Sequence, residues 1–192
     1  GAGVGGLTAA LSLHAAGFED VQVLEGAREI REIGVGINLP PHAVRELVEL
    51  GLAEELAAIG LPTSALSYYD RAGQLIWAEP RGLGAGYRWP QYSVHRGRLQ
   101  HILLEAVRAR LGPDAARTGK RVVRVEQRND RQVEVAVLDV PTDHIEHLSA
   151  DLLIGADDIR SAVRTSLLGA EVPLASNGWV MYRGAARSAP FL

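Results

Sequence analysis

Apolar positions along the chain change their period several times, and each change marks an element. From Leu7 to Ala16 the residues Ala9, Ala10, Leu11, Leu13, Ala15 and Ala16 favour a helix with an apolar face, and Gly17 stands where it should stop. A short strand, Val21-Gln22-Val23-Leu24, follows and closes on Glu25. Pro40-Pro41 predicts the start of a second helix, with Val44, Leu47, Val48 and Leu50 on one face and Gly51 as its stop; a further short helix runs to about Ile59. Leu66 to Asp70 and Leu75 to Glu79 then flank Arg71-Ala72-Gly73-Gln74 as a hairpin, and Pro80 to Pro90 is expected to be loop. Arg96 to Leu111 reads as an amphipathic helix that buries Leu99, Ile102, Leu103, Ala106, Val107 and Leu111. Arg121 to Gln127 and Gln132 to Val140 form a second hairpin, turned by Arg128-Asn129-Asp130-Arg131. The unalternating run from Asp151 to Ala156 predicts a buried parallel strand, followed by Asp157-Asp158, a helix from Ile159 to Leu168 and a strand over Gly178 to Arg187.

The first helix carries a chemical signal at its start. Gly1-Ala2-Gly3-Val4-Gly5-Gly6 has the G-x-G-x-x-G spacing of a dinucleotide fingerprint. Gly1 permits the tight turn, Gly3 lets backbone N–H groups approach a pyrophosphate, and Gly6 lets the helix lie close to its strand. Such a fingerprint follows an apolar strand, so its position at residue 1 predicts a fragment that lacks this strand. Glu25 lies about twenty residues beyond the glycines, where an acid accepts hydrogen bonds from a ribose hydroxyl. The bland alternative is an ordinary solvated acid at a strand end. An acid here disfavours a 2′-phosphorylated nucleotide and points to FAD or NAD rather than NADP.

Composition narrows the remaining classes. With 192 residues and 47% hydrophobic content, the chain can bury one sizeable core and begin a second lobe. Its net charge of −3 and the lack of a basic run give no field for nucleic acid. Without cysteine there is no disulfide, thiolate catalysis or zinc–thiolate site. No apolar stretch reaches the length of a membrane span, and no leader pattern precedes a cleavage site, so a cytoplasmic location without membrane attachment is expected. Asp143, His144, Glu146 and His147 are read as a hydrated turn rather than a metal site, for want of a third ligand cluster. His95 and His101 are read as structural, and Ser161 lies at a helix start without a base to activate it. Trp77, Trp89, Tyr92, Trp179 and Tyr182 either pack or line an aromatic pocket.

Four segments in order carry a family resemblance: the fingerprint with Glu25; Gly34-Val35-Gly36-Ile37-Asn38-Leu39-Pro40-Pro41; His95-Arg96-Gly97-Arg98-Leu99-Gln100; and Leu153 to Arg164. Together they resemble the group A flavoprotein monooxygenases, the single-component FAD-dependent aromatic hydroxylases. Tyr68-Tyr69-Asp70, Ala78 to Gly82, Pro90 to Gly97 and Tyr182-Arg183-Gly184 look most like the phenazine-modifying members, over nearly the whole chain. The resemblance implies an α/β fold: a Rossmann-like FAD-binding domain of the GR2 type, like p-hydroxybenzoate hydroxylase, with part of a mixed β-sheet substrate domain. Residues 1–65 and 95–170 would form the FAD-binding domain, and 66–94 and 171–192 part of the substrate domain.

It also implies roles at matching positions. Gly1, Gly3, Gly6 and Glu25 would hold the ADP half of FAD, the Gly34 to Asn38 loop with Gly36 and Ile37 would pass beside the isoalloxazine, and Arg96 and Gln100 would reach the cofactor. Val123 falls among the cofactor-contacting positions, and Asp157 matches the acid of the family's Asp-Gly motif, associated with FAD and the nicotinamide nucleotide. NAD(P)H would serve as co-substrate and O₂ as oxidant, with oxygen passing to a phenazine- or hydroxybenzoate-like ring through a flavin C4a-hydroperoxide; no catalytic side chain or metal is called for. Asp158 stands where the family has glycine, which predicts impaired nicotinamide docking. The family's later Gly-Asp motif would lie beyond Leu192, so an incomplete, inactive enzyme is expected, in oligomeric state a monomer or a dimer. Two other readings stay open: a non-catalytic FAD-binding remnant, and a nicotinamide-dependent dehydrogenase, which Lys120 as the only lysine disfavours.

Overall fold

Each of the five described helices ends within two residues of a glycine, and β1, β2 and β3 depend on partners distant in the chain. The computed structural model describes residues 1–184. In chain order the elements are α1 (Val4–Ala15), β1 (Val23–Leu24), β2 (Gly36–Leu39), α2 (Pro41–Glu49), α3 (Ala53–Ile59), β3 (Gly60–Thr63), β4 (Ala65–Tyr69), β5 (Leu75–Pro80), a 3-10 turn (Gly82–Ala85), β6 (Gln91–His95), α4 (Arg96–Leu111), β7 (Ala116–Arg117), β8 (Lys120–Asn129), β9 (Gln132–Asp139), β10 (His144–Ala150) and α5 (Ala162–Leu168). They divide into two compact units, one of Gly1–Arg31 with Leu103–Met181, the other of Glu32–Ile102 with residues 182–184.

In the first unit α1 buries Leu7, Ala10 and Leu11, a stripe at helical spacing, and Gly17 leaves the helix at φ 93°. Burying Leu7 and Leu11 contributes about 1.5–3 kcal/mol each. β1 pairs in parallel with β7, Val23 opposite Ala116. β8, β9 and β10 form an antiparallel meander whose core is Val133, Val135 and Val137, packed by Leu24, Val122, Val125, Leu148 and Leu153. The ladder of β8 slips at Val123, which lies in a bulge between Val122 and Arg124.

Three expectations for this unit are corrected. His144–Ala150 is a strand paired with β9 from Asp139 to Val133, not a hydrated turn; its ladder partner rather than a regular hydrophobic alternation makes it one. The segment 151–156 is extended but pairs with no strand among the described residues, and Leu152 and Ile154 are 64% and 48% exposed. Apolar sequence alone does not make a strand; its peptide groups need a ladder partner. α5 begins at Ala162 rather than Ile159, because Ser161 caps it and the residues before it turn through Asp158 at φ 64°.

In the second unit β6 is the centre of a three-stranded antiparallel sheet between β2 and β3, with Gly36 opposite His95 and Gly60 opposite Val94. Pro62 is tolerated because β3 is an edge strand. The segment Gly34 to Asn38, expected as a loop, is therefore strand from Gly36 onward, and the stretch from Pro80 to Pro90 contains a 3-10 turn. The β4–β5 hairpin forms as expected, its turn held by Asp70 Oδ1, which accepts from the Ala72 and Gln74 N–H groups at 2.8 Å each. α2 opens on Pro41 and ends before Gly51 at φ 74°, and Val44, Leu47, Leu52, Leu56, Val94 and Leu99 are buried. The strand expected over 178–187 is not formed by 178–184, and its remainder lies outside the described residues.

Candidate functional site

The four glycines of Gly1-Ala2-Gly3-Val4-Gly5-Gly6 differ in what an added Cβ would meet. A Cβ on Gly1 would lie 2.5 Å from the Ala156 carbonyl oxygen, and one on Gly6 would overlap the Gly1 carbonyl oxygen and meet Ala156 Cβ at 3.3 Å. Those two positions are closed by the protein itself. Around Gly3 nothing lies within 4 Å, so the protein does not exclude a side chain there and the space is open to a ligand. Gly3 is the N-cap of the twelve-residue α1, makes no side-chain capping bond and has no acid in the turn that follows. The first-turn N–H groups and the positive end of the helix dipole are thus presented to an anion with no carboxylate in the turn itself.

Glu25 ends β1 and reaches back to this loop. Its Oε2 accepts from Ala2 N–H at 2.7 Å and its Oε1 from Ala27 N–H at 2.8 Å. Each oxygen retains a second acceptor direction, so the carboxylate can hold the glycine loop and still receive ribose hydroxyls. The role of Ala2 was not legible in the sequence, since a backbone donor leaves no residue signature. This donor set and the glycine cradle fit an ADP moiety: open backbone amides for phosphate and a fixed acceptor for ribose.

Asp157 closes the same unit from the other side. Its Oδ1 accepts from Ser161 Oγ–H at 2.6 Å and its Oδ2 from Val163 N–H at 3.1 Å, while Ser161 Oγ accepts from Arg164 N–H at 2.8 Å. Burial pushes the Asp157 carboxyl up, but these hydrogen bonds outweigh it and hold the group below the usual carboxylate range. Ser161 serves as the helix cap. Asp158 is exposed and stands in the left-handed region at φ 64°. Gly155 and Ala156 are small for packing reasons: a Cβ on Gly155 would fall 2.9 Å from Val163 Cγ1, and Ala156 seats Gly1 and Gly6. A Gly-Ala pair ending an apolar run is the signal that could have revealed them. Val123 is 44% exposed at the β8 bulge, its peptide out of ladder register.

In the second unit the chain from Glu32 to Val35 lies against the start of α4. Gly97 makes this possible, since a Cβ there would come within 2.6 Å of the Glu32 backbone. Arg96 N–H donates to Val35 O at 3.1 Å, Arg96 Nη2 approaches Ile33 O at 3.5 Å, and Gly34 at φ 136° leaves room for the guanidinium. Arg96 thus stands beside Gly34 and one residue beyond the β2–β6 pair Gly36–His95, with Ile37 opposite Val94. Gln100, one turn further along α4, is half-buried and hydrogen-bonded or otherwise partnered. Ser93 Oγ–H donates to Asn38 Oδ1 at 2.6 Å and ties β2 to β6.

The remaining candidates fall elsewhere. His147 Nδ1 lies 3.0 Å from Glu134 Oε1 on the exposed face of the meander, and no metal-ligand cluster occurs among the described residues. Trp77 contacts Tyr68 at a centroid separation of 5.9 Å, and Trp89 sits under the Arg45 and Arg88 guanidinium groups. Trp179 and Tyr182 are 85% and 94% exposed. No helix among the described residues is long and apolar enough to cross a membrane.

Comparison with known proteins bears on the same residues. The profile of the FAD-binding-domain family matches residues 1–180. The chain is 48% identical, over its whole length, to 47% of phenazine 1,6-dicarboxylic acid hydroxylase PhzS of Lysobacter antibioticus. It is 35% identical over 95% of its length to 44% of 3-hydroxybenzoate 6-hydroxylase of Polaromonas naphthalenivorans. The crystal structure of a Klebsiella pneumoniae HpxO variant complexed with FAD matches 89% of this chain and 42% of its own, at 32% identity and a TM-score of 0.73. The chain spans about half the length of the curated relatives it matches.

Proposed function

The chain belongs to the FAD-binding-domain family, and on that premise we propose that it is the dinucleotide-holding part of an FAD-dependent aromatic monooxygenase acting on a phenazine- or hydroxybenzoate-like ring. The observation that carries the reading is the 48% identity, along the whole of this chain, to about half of a phenazine hydroxylase, and the open space at Gly3 above a helix N-terminus supports it independently. Residues 1–65 and 95–170 are assigned to FAD binding, and 66–94 with 171–192 to part of the substrate domain.

In this reading Gly1 and Gly6 keep the loop tight, and Gly3 admits the pyrophosphate to the first-turn amides of α1. Glu25 holds Ala2 and accepts the ribose hydroxyls. Val123, displaced from the β8–β9 ladder, offers its backbone to the nucleotide. Arg96 supplies a cation that is always charged, Gln100 a neutral donor and acceptor, and Gly36 and Ile37 the edge strand β2, where the missing side chain of Gly36 leaves room beside the flavin ring. Asp157 acts through Ser161 and Val163 as a positioning residue for the turn that seats Gly1. When bound, FAD supplies the redox chemistry, taking a hydride from NAD(P)H and activating O₂, so that one oxygen atom enters the ring and the other leaves as water. The exposed Asp158 adds a negative charge close to the nucleotide end.

The test uses the complete polypeptide that contains this chain. It should purify yellow, consume NAD(P)H faster when a phenazine carboxylic acid or a hydroxybenzoate is added, and yield a product one oxygen atom heavier. Folded, colourless protein that binds NAD tightly would instead favour a dehydrogenase.

A further inference from the structure

The start of β8 carries a cation that holds nothing within the protein. Lys120 N–H donates to Glu25 O and Gly119 N–H to Ala27 O, each at 2.7 Å, which sets this end of β8 beside the loop that follows β1. Arg121 then lies over Gly26: a Cβ built on Gly26 would meet Arg121 Cβ and Nε at 3.4 Å and Cγ at 3.5 Å. Gly26, without a side chain, leaves bare backbone on which the stem of Arg121 rests.

The other bases of β8 all have carboxylate partners. Lys120 pairs with Asp139 and Glu146, Arg124 with Glu126, and Arg128 with Glu126 and Glu134. Arg121 is exposed and has no ion pair or hydrogen bond among the described residues. Glu25, the residue before Gly26, gives its two oxygens to the Ala2 and Ala27 N–H groups instead. A planar guanidinium is thus left free beside the acid of the glycine loop.

Order along the loop decides what Arg121 can meet. Gly3 opens on the first-turn amides of α1, Ala2 is tied to one oxygen of Glu25, and Ala27, next to Gly26, is tied to the other. The Glu25 carboxylate therefore stands between the glycine loop and Arg121. In a nucleoside diphosphate the order is pyrophosphate, ribose, base. With the pyrophosphate at Gly3 and the ribose at Glu25, the base falls to Arg121. A purine carries no charge, so a guanidinium recognises it by lying flat on its face rather than by ion pairing.

We infer that Arg121 is a base-recognising residue whose guanidinium stacks on the adenine of the dinucleotide, with Gly26 beneath its stem. The inference rests on the FAD reading and deepens it, because it names the residue that selects the base. Stacking grows with the size of the ring system, so the site prefers a purine to a pyrimidine.

The test titrates the full chain with ADP and with UDP, which share ribose and pyrophosphate and differ in the base. The parent should bind ADP more tightly. Arg121→Ala should weaken ADP about three- to tenfold and UDP by less than about twofold, with the urea midpoint of the cofactor-free chain unchanged. Arg121→Lys, which keeps the charge and loses the plane, should stay closer to the alanine variant than to the parent. Equal losses for ADP and UDP, or full rescue by lysine, would reduce Arg121 to a charge and overturn the inference. So would a parent that binds 2′-phospho-ADP more tightly than ADP and loses that gain in Arg121→Ala, since Arg121 would then read a phosphate. ADP binding that Arg121→Ala leaves unchanged overturns the inference alone; a parent that binds neither ADP nor FAD overturns the FAD reading, and the inference with it.

Discussion

Three neighbouring glycines at the start of α1 separate what the fold needs from what the cofactor needs, and replacing each with alanine gives three different outcomes. Gly5 lies in the first turn with nothing within 4 Å of an added Cβ, so Gly5→Ala gains helix propensity, about 0.5–1 kcal/mol of stability, and leaves FAD affinity unchanged. Gly6→Ala drives its methyl into the Gly1 carbonyl oxygen and against Ala156 Cβ. Overlap with a backbone oxygen puts the overpacking cost at about 2–3 kcal/mol, and a propensity gain of about 1 leaves a net loss of about 1–2 kcal/mol. Gly3→Ala keeps an allowed backbone, at φ −73° and ψ 177°, in open space, and loses only the modest N-cap preference of glycine, about 0.5 kcal/mol. Its methyl, however, occupies the approach of the pyrophosphate, so FAD affinity falls at least about 100-fold, equivalent to about 2.8 kcal/mol. Urea denaturation without cofactor reads the stabilities, and flavin fluorescence titration reads the affinities. A Gly3→Ala chain that binds FAD like the parent, or that is destabilised as much as Gly6→Ala, would refute the assignment.

Asp158→Gly relieves a left-handed backbone at φ 64° and should raise stability by about 0.5–1 kcal/mol in urea; a lowered midpoint would show that the Asp158 side chain stabilises the turn. The hydrogen bonds that hold the Asp157 carboxyl below its ordinary value of 3.8 stabilise the fold at all pH values above that value and are lost as pH falls through the lowered one. The urea midpoint should therefore be flat from neutral pH to about pH 5 and decline below about pH 4, and Asp157→Asn should lower the neutral plateau and flatten the decline. Unaltered acid sensitivity in Asp157→Asn would assign that decline to other carboxylates. Arg96→Ala removes an exposed side chain and should change stability by no more than about 0.5 kcal/mol while weakening FAD about tenfold or more; equal affinity would remove Arg96 from the cofactor site.

Local signals carried the helices and local hairpins, and non-local pairing hid the rest. Arg96–Leu111 is legible residue for residue because its 3.6-residue period and its packing agree. β2, β3 and β6 escaped because Gly36–Leu39 and Gly60–Thr63, with Gly, Pro and Asn among them, become strands only by pairing with Gln91–His95, distant in the chain. β10 was missed since Ile145 and Leu148 stand three residues apart, on opposite faces of the strand, and leave no period-2 alternation to read. The opposite error befell 151–156, whose apolar run looks like a strand yet has no ladder. At the site, glycine spacing and the distance to Glu25 were readable, since they report backbone geometry directly. The bonds from Ala2 to Glu25 and from Ser161 to Asp157 were not, because each depends on how two segments meet rather than on the composition of either.

The central claim is that this chain holds the ADP half of FAD, and titration of the purified chain with FAD, followed by competition with ADP and with NAD, tests it most directly. The account predicts saturable quenching of flavin fluorescence at one FAD per chain, reversed by ADP and abolished in Gly3→Ala. A folded chain that leaves flavin fluorescence unchanged, or from which NAD displaces the flavin more effectively than ADP does, would contradict it.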